Sequence, residues 1–409
     1  MTFVYALFIL LTLIGSVFFD REEGYGKYKL LAYRALWLFL VLIAGLRYGL
    51  GGDSFQYMRD FEVNYEGLLP DLWDTIDWQF HKMGYMPLWT AVNVLLRAVT
   101  DSFVVFQLIH ALIVNSIICT IARRHTQYGF LFLLVYFVLG TFFIFNTEVM
   151  RESIAIAIGL LGIEFWVSGK KVWFWPLLVL AVGFHISAVV LAVFPFVKIS
   201  LSRRNILIFA VLSFIIWLAG DVLLSGIIAF AGSGTVSAML IKVQQYASLT
   251  TNFNGFLRFW LAFLVMPMVL MYFVMQHPMS SKERSYREKM VSLVMLLGVI
   301  AAAMYGLSRL TNYVLIFEWM MLAELLGKLF QNKQHFIARQ ATILIIAALQ
   351  WWNMFSYWEN NDFYLYQYYL PYTCILDDPD DAIFLLREDA HGESSDMKGE
   401  GEGVRDVDY

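Results

Sequence analysis

Charge is scarce in this chain, and cysteine is nearly missing. Only 15% of its 409 residues are Asp, Glu, Lys or Arg, whereas a soluble domain carries about 25%. A soluble surface needs those charges. A soluble enzyme, a disordered chain and a nucleic-acid binder are therefore excluded, and no nucleic-acid partner is expected. The two cysteines, Cys119 and Cys374, stand far apart, and Cys119 lies in an apolar run. No disulfide scaffold follows from such a pair. There is no C-x-x-C and no His/Cys cluster, so a structural zinc site has no ligands. There is no Gly-rich phosphate loop ending in Lys-Ser/Thr, so ATP is not the energy source. No D-x-D pair stands in a soluble nucleotide-sugar domain, and the loops are too short to hold one. The N-terminus lacks the basic segment and small-residue cleavage site of a secretory signal. Residues 3–19 read as a retained first span.

What the chain does have is apolar. Hydrophobic residues make up 60% and aromatics 17%, and the mean hydropathy is +0.64. A helix needs about 20 apolar residues to cross a bilayer. Runs of that kind cover 2–19, 30–47, 103–121, 129–146, 152–168, 206–231, 256–276, 290–308, 310–327 and 337–356. A transmembrane β-barrel is excluded, because its strands alternate polar and apolar. The expected fold is all-α, a polytopic transmembrane bundle of about 10–12 spans occupying 1–375.

Lys and Arg mark the cytoplasmic loops. They gather at 21–34, 123–125, 169–171, 198–204, 282–289 and 328–339. The two basic loops 169–171 and 198–204 flank 172–197, a stretch too long for one span and too short for two. It should enter and leave on one side, as a re-entrant hairpin with His185 near its tip. The loop 48–102, rich in Trp, Tyr and Asp, faces outward, and 86–99 reads as an amphipathic helix on that face. Residues 376–409 form an acidic tail, Gly-rich and poor in apolar residues, which should be disordered.

A charge at membrane depth costs about 2.5–3.5 kcal/mol on insertion scales, so such residues are the first functional candidates. Arg47, Arg151 and Arg309 stand at the outward ends of three spans. Arg47 opens RYGLGGDSFQY, which contains Asp53 and Tyr57. Arg151 lies in NTEVMRESIAIAI, between Glu148 and Glu152, whose spacing of four puts them on one helix face. Arg309 lies in MYGLSRLTNY, where Tyr305, Arg309 and Tyr313 recur every four residues and should form one stripe. His185, in GFHISAVV, is the residue type suited to proton exchange or to a bond to an anion. Arginine suits bidentate binding of phosphate oxygens. Three of them at one face suggest a diphosphate headgroup, and the aromatics of 73–89 and 351–372 suggest sugar faces. Each element also has a plainer reading: interfacial Tyr/Arg anchors, helix-capping acids and an aromatic belt.

Taken in order, these elements resemble the EpsG family. They are Arg47, Gly51, Gly52, Asp53 and Tyr57; Asn146, Arg151, Glu152 and Ala155; Phe184, His185, Ser187 and Ala188; and Arg309 with Tyr313. The family is similar to Wzy-type polysaccharide polymerases. One departure stands out: Met86, in GYMPLW, occupies a place where Glu is common in the family. The resemblance implies a GT-C-like helical fold in the bacterial inner membrane that works without metal or cofactor. It implies polymerisation of repeat units linked to undecaprenyl diphosphate, at the outer face, into exopolysaccharide, capsule or O-antigen. Arg151 and Arg309 would clamp the diphosphate with help from Arg47. Asp53 or Glu148 would orient or deprotonate the acceptor hydroxyl, and His185 would steady either substrate. Tyr57, Glu152, Tyr305 and Tyr313 would contact substrate. Expected partners are the lipid-linked glycan, membrane lipids, a chain-length regulator and a flippase. The alternatives are a flippase or transporter of the same lipid, or a ligase using the same donor.

Overall fold

The structure, a computed structural model, describes residues 3–21, 24–220, 253–275, 279–329, 357–358, 363–377 and 387. Its helices are α1 (Phe3–Phe19), α2 (Lys27–Gly45), α3 (Gly52–Arg59), α4 (Leu72–Trp78), α5 (Pro87–Arg97), α6 (Phe103–His125) and α7 (Gly129–Val138). They continue with α8 (Thr141–Glu148), α9 (Met150–Val167), α10 (Phe174–Phe184), α11 (Arg203–Leu218), α12 (Phe253–Met275), α13 (Ser281–Ala303) and α14 (Asn312–Leu329). Among the described residues the only strands are two-residue pieces, Tyr357–Trp358 and Phe363–Tyr364, paired antiparallel. The chain is an all-α polytopic membrane bundle. Among the described residues four helices are long and apolar enough to cross a membrane, namely α2, α6, α12 and Leu307–Lys328, and a bent pair makes a fifth. The expected span 337–356 and the second half of 206–231 lie outside the described residues.

Apolar faces set the packing. α2 lies on α6, α6 on α9, α9 on α10, and α7 takes α1 on one side and α14 on the other. Phe8, Leu40, Ile118, Phe137, Ile156, Met290 and Phe317 are sealed between them. Lipid offers no hydrogen bonds, so polar groups inside must pair with one another. Asn115 Nδ2 donates to Asn146 Oδ1 (2.9 Å), and Tyr136 Oη donates to Asn115 Oδ1 (3.2 Å). His110 Nε2 lies 3.1 Å from the Met150 carbonyl and 3.0 Å from Ser153 Oγ. Helix starts are capped from a distance as well as locally. The Asp20 carboxylate accepts the first amides of α7, Phe130 N (3.3 Å) and Leu131 N (2.9 Å). Ser280 accepts from Glu283 N (3.2 Å) at the start of α13.

The helices break where the ends opposite the charged ones converge. The run 129–146 is not one straight span: α7 and α8 meet at 76°. Gly140, in the left-handed region at φ +79°, turns the chain there, and the Asn115–Asn146 bond holds the far side of the bend. Within 172–197, α10 stops at Phe184, His185 is extended, and Ile186–Val193 continues as a 3-10 helix. Residues 86–99 do form a helix, α5, which buries Trp89, Thr90, Asn93 and Val94.

The opposite ends are tied by charge. Arg287 bonds Glu283 (2.7 Å) and Glu324 (2.6 Å). His125 bridges Glu283 (3.0 Å) and Glu164 (2.8 Å). Lys328 adds a bond to Glu324 (3.0 Å). These residues stand where α6, α9 and α14 end and α13 begins. The other ends of the same helices therefore share one face, where 46–57, 146–152 and 304–313 meet.

Candidate functional site

Gly51 turns the chain from α2 into α3. Its φ is +87°, and a Cβ there would fall 2.4 Å from Thr147 Cβ and 2.8 Å from the Glu148 carboxylate. Only glycine fits this close approach. The first amides of α3 then point at Glu148: Gly52 N donates to Oε1 (3.0 Å) and Asp53 N to Oε2 (3.0 Å). Tyr369 Oη (2.5 Å) and Thr147 Oγ1 (3.1 Å) also donate to Oε1. A carboxylate at a helix N-terminus is well placed electrostatically. Glu148 is thus bound to the turn that carries Asp53, and Asp53 itself is exposed.

The expectation that Glu148 and Glu152 share one helix face does not hold. α8 ends in a π-turn at Glu148, Val149 leaves the helical region (φ −121°, ψ 47°), and α9 starts at Met150. The break sends the two acids to different partners. Arg151 lies between the rings of Tyr85 (4.2 Å to the centroid) and Tyr57 (5.9 Å), an arrangement that steadies a guanidinium by cation–π attraction. Tyr57 Oη donates to the Glu148 carbonyl (3.3 Å), and Tyr85 Oη to Asp60 (3.2 Å). Burial keeps the phenols of Tyr57 and Tyr85 above their ordinary pKa, so both stay protonated donors.

Glu152 is buried. Its Oε1 accepts from Asn312 Nδ2 (3.3 Å), and its Oε2 has no partner among the described residues. The charges of Arg309 and Arg151 both act on it. Arg309 is exposed. The stripe expected of Tyr305, Arg309 and Tyr313 is not there, because Tyr305–Thr311 is a 3-10 helix and α14 begins only at Asn312. With three residues per turn, positions four apart leave a common face. Tyr313 instead turns inward, and its Oη lies 2.9 Å from Ser187 Oγ, which lies 2.5 Å from His185 Nδ1. The side chain of Tyr305 lies outside the described residues.

Arg47 sits beneath this surface, 2% exposed. It donates to the Ala44 carbonyl and to Met150 Sδ (3.6 Å). It lines a small cavity with Tyr5, Asn146, Thr147 and Tyr369. A strap from the far end of the sequence closes the site. Gly51 N donates to the Tyr368 carbonyl (2.9 Å), Tyr48 N to the Thr373 carbonyl (3.1 Å), and Ile375 N to the Leu46 carbonyl (3.1 Å). Burial, with Glu148 and Asp53 adding, pushes the Tyr368 phenol up to about 12. Arg387, inside the segment expected to be disordered, is buried against the strap. Its guanidinium donates to the carbonyls of Gly49 (3.1 Å) and Pro371 (2.7 Å) and to Thr373 Oγ1 (2.9 Å).

The structure therefore brings Asp53, Tyr57, Glu148 and Arg151 into one cluster, and Glu152, His185, Arg309 and Tyr313 into an adjoining one. Arg47 lies under the first. Sequence reasoning missed Asn312 and Arg387, and it saw Tyr85 only as one aromatic among many. The adjacent Arg309 signal could have pointed to Asn312, and nothing local marks Arg387. Among the described residues no three His, Cys, Asp or Glu side chains converge as metal ligands would. A family model described as the EpsG family matches residues 30–374. No curated protein and no solved structure matches the chain.

Proposed function

The chain belongs to the EpsG family, whose members are Wzy-like polysaccharide polymerases of exopolysaccharide biosynthesis, and from that premise we propose which lipid it uses and which residues act. The donor is a growing glycan on undecaprenyl diphosphate, and the acceptor is one repeat unit on the same lipid. The reaction runs at the outer face of the bacterial inner membrane. The observation that carries this reading is Arg151, held between the rings of Tyr57 and Tyr85 beside the turn that carries Asp53, with Arg309 acting electrostatically on the neighbouring Glu152.

The acceptor hydroxyl oxygen bonds to the anomeric carbon of the donor sugar. The bond from that carbon to the diphosphate oxygen breaks, and the lipid diphosphate leaves with the electron pair. Negative charge grows on the leaving oxygen, so donors fixed in advance lower the barrier. Arg151, held between Tyr57 and Tyr85, and Arg309 bind the diphosphate, and Arg47 adds positive potential from below. The acceptor proton passes to Asp53, the exposed acid of the cluster. Glu148 acts through Asp53 by holding the α3 turn, which makes it a positioning residue. His185, Ser187 and Tyr313 form a hydrogen-bonded row that orients the acceptor. Arginine takes here the charge-neutralising role that a metal fills elsewhere.

Purified protein given synthetic lipid-diphosphate repeat units should make a glycan ladder and release lipid diphosphate in proportion. Single transfers to a different acceptor would mean a ligase. Movement of intact units across a vesicle membrane without new glycosidic bonds would mean a flippase, and either result overturns the polymerase step.

A further inference from the structure

At the other end of the bundle, α2 and α6 enclose a cavity of about 280 Å³ lined by Tyr33, Arg34, Trp37, Ser116, Thr120 and Arg123. The two helices run antiparallel. Tyr33 Oη donates to the Cys119 carbonyl (2.9 Å), and Gly45 lies against Leu108. This register sets Arg34 and Arg123 at the same end, which the Lys/Arg bias places at the cytoplasmic face. Among the described residues neither arginine forms a salt bridge, and Arg123 lies over the Tyr25 ring, 5.8 Å from its centroid. Two guanidiniums and the Thr120 hydroxyl border one cavity, while the Ser116 hydroxyl already donates to the Leu112 carbonyl. The complement of the two guanidiniums is a phosphate.

The surroundings tell what carries that phosphate. Along α2, Arg34 is followed at four-residue steps by Leu38 and Leu42. Along α6, Arg123 is preceded by Thr120, Ser116 and Leu112. Leu38, Leu42, Leu112 and the adjacent Ile113 are exposed. Each helix thus offers a polar end that grades into an open apolar stripe, and the two stripes lie side by side. A headgroup-sized cavity continuous with an apolar surface matches an anionic lipid lying between transmembrane helices.

We propose that Arg34 and Arg123 form a binding site for the phosphate of an anionic phospholipid of the cytoplasmic leaflet, with Thr120 as a further donor and with acyl chains along Leu38, Leu42 and Leu112. The site lies at the opposite end of the bundle from the cluster around Arg151. It does not depend on the reaction assigned there.

The full chain is purified in neutral detergent, and bound lipid is counted by native mass spectrometry after titration with phosphatidylglycerol or phosphatidylcholine. The wild type should hold one phosphatidylglycerol in preference to phosphatidylcholine. Arg34→Gln with Arg123→Gln should weaken it about tenfold or more. Lys170→Gln with Lys171→Gln removes the same charge elsewhere on the basic face and should leave affinity unchanged. Thr120→Phe keeps both arginines but fills the cavity, and should also weaken binding. Equal weakening by the lysine pair would mean general surface charge and would overturn the site. So would unchanged binding in both Arg34→Gln/Arg123→Gln and Thr120→Phe. Inorganic phosphate at millimolar concentration should not displace the lipid; if it does so fully, the site takes a free anion and the lipid assignment fails.

Discussion

A single side chain, Arg151, shows how much of the site depends on support. Its guanidinium is 4.2 Å from the Tyr85 ring centroid, and Tyr85 is itself anchored to Asp60. Arg151→Ala should lower polymerisation about 10²–10³-fold, the usual cost of losing one preorganised donor. Arg151→Lys should recover little of this, because an ammonium lacks the planar fork. Both are read from glycan ladders at equal protein level. Gly51→Ala tests the turn beneath. It forces a side chain into a positive-φ site at a cost of about 1–3 kcal/mol, with its Cβ on Thr147. Polymer yield should fall although Gly51 touches no substrate. Arg47, Asp53, Arg151 and Arg309 stood out in the sequence as candidates, since charge beside apolar runs is conspicuous. The role of Glu148 was not. Its four donors come from residues as far away as Gly52 and Tyr369, and no local spacing reports them.

Among the elements, apolar runs named the helices and their order, and the family resemblance pointed to segments that meet at one end of the bundle. Hydropathy could not show where helices stop being α. Gly140 bends 129–148, and His185 divides 172–197. A 3-10 stretch at 305–311 turns Tyr313 toward Ser187 instead of toward Arg309. These breaks lie where backbone polar groups find partners inside the protein, which is the condition for irregular backbone at membrane depth. Tyr313→Phe removes only the hydroxyl of that row. Protein level should hold while polymer yield drops, and Ser187→Ala should give the same phenotype with no further loss in the double variant, because residues acting as a unit are not additive.

Taken whole, the molecule has two unlike ends. One end is stapled by Arg287, Glu283, Glu324, His125 and Glu164; the other carries the irregular segments and the arginine clusters. Breaking a buried ion pair leaves its partners unmatched, at about 3–5 kcal/mol. Arg287→Ala should therefore lower the thermal stability of the detergent-solubilised protein markedly, whereas Arg309→Ala, at an exposed position, should leave it nearly unchanged while abolishing polymer. The pairing of 46–51 with 368–375, closed by Arg387, joins chain segments over three hundred residues apart, and a pairing at that distance leaves no periodic trace in the sequence.

The most direct measurement is complementation of a deletion strain, with lipid-linked glycan resolved by gel and mass spectrometry. Single repeat units should accumulate on the lipid at the outer leaflet. The wild-type chain should restore a ladder, and Arg151→Ala should not. A normal ladder from Arg151→Ala at wild-type protein level would contradict an arginine-held diphosphate, and units trapped on the inner leaflet would contradict polymerisation itself.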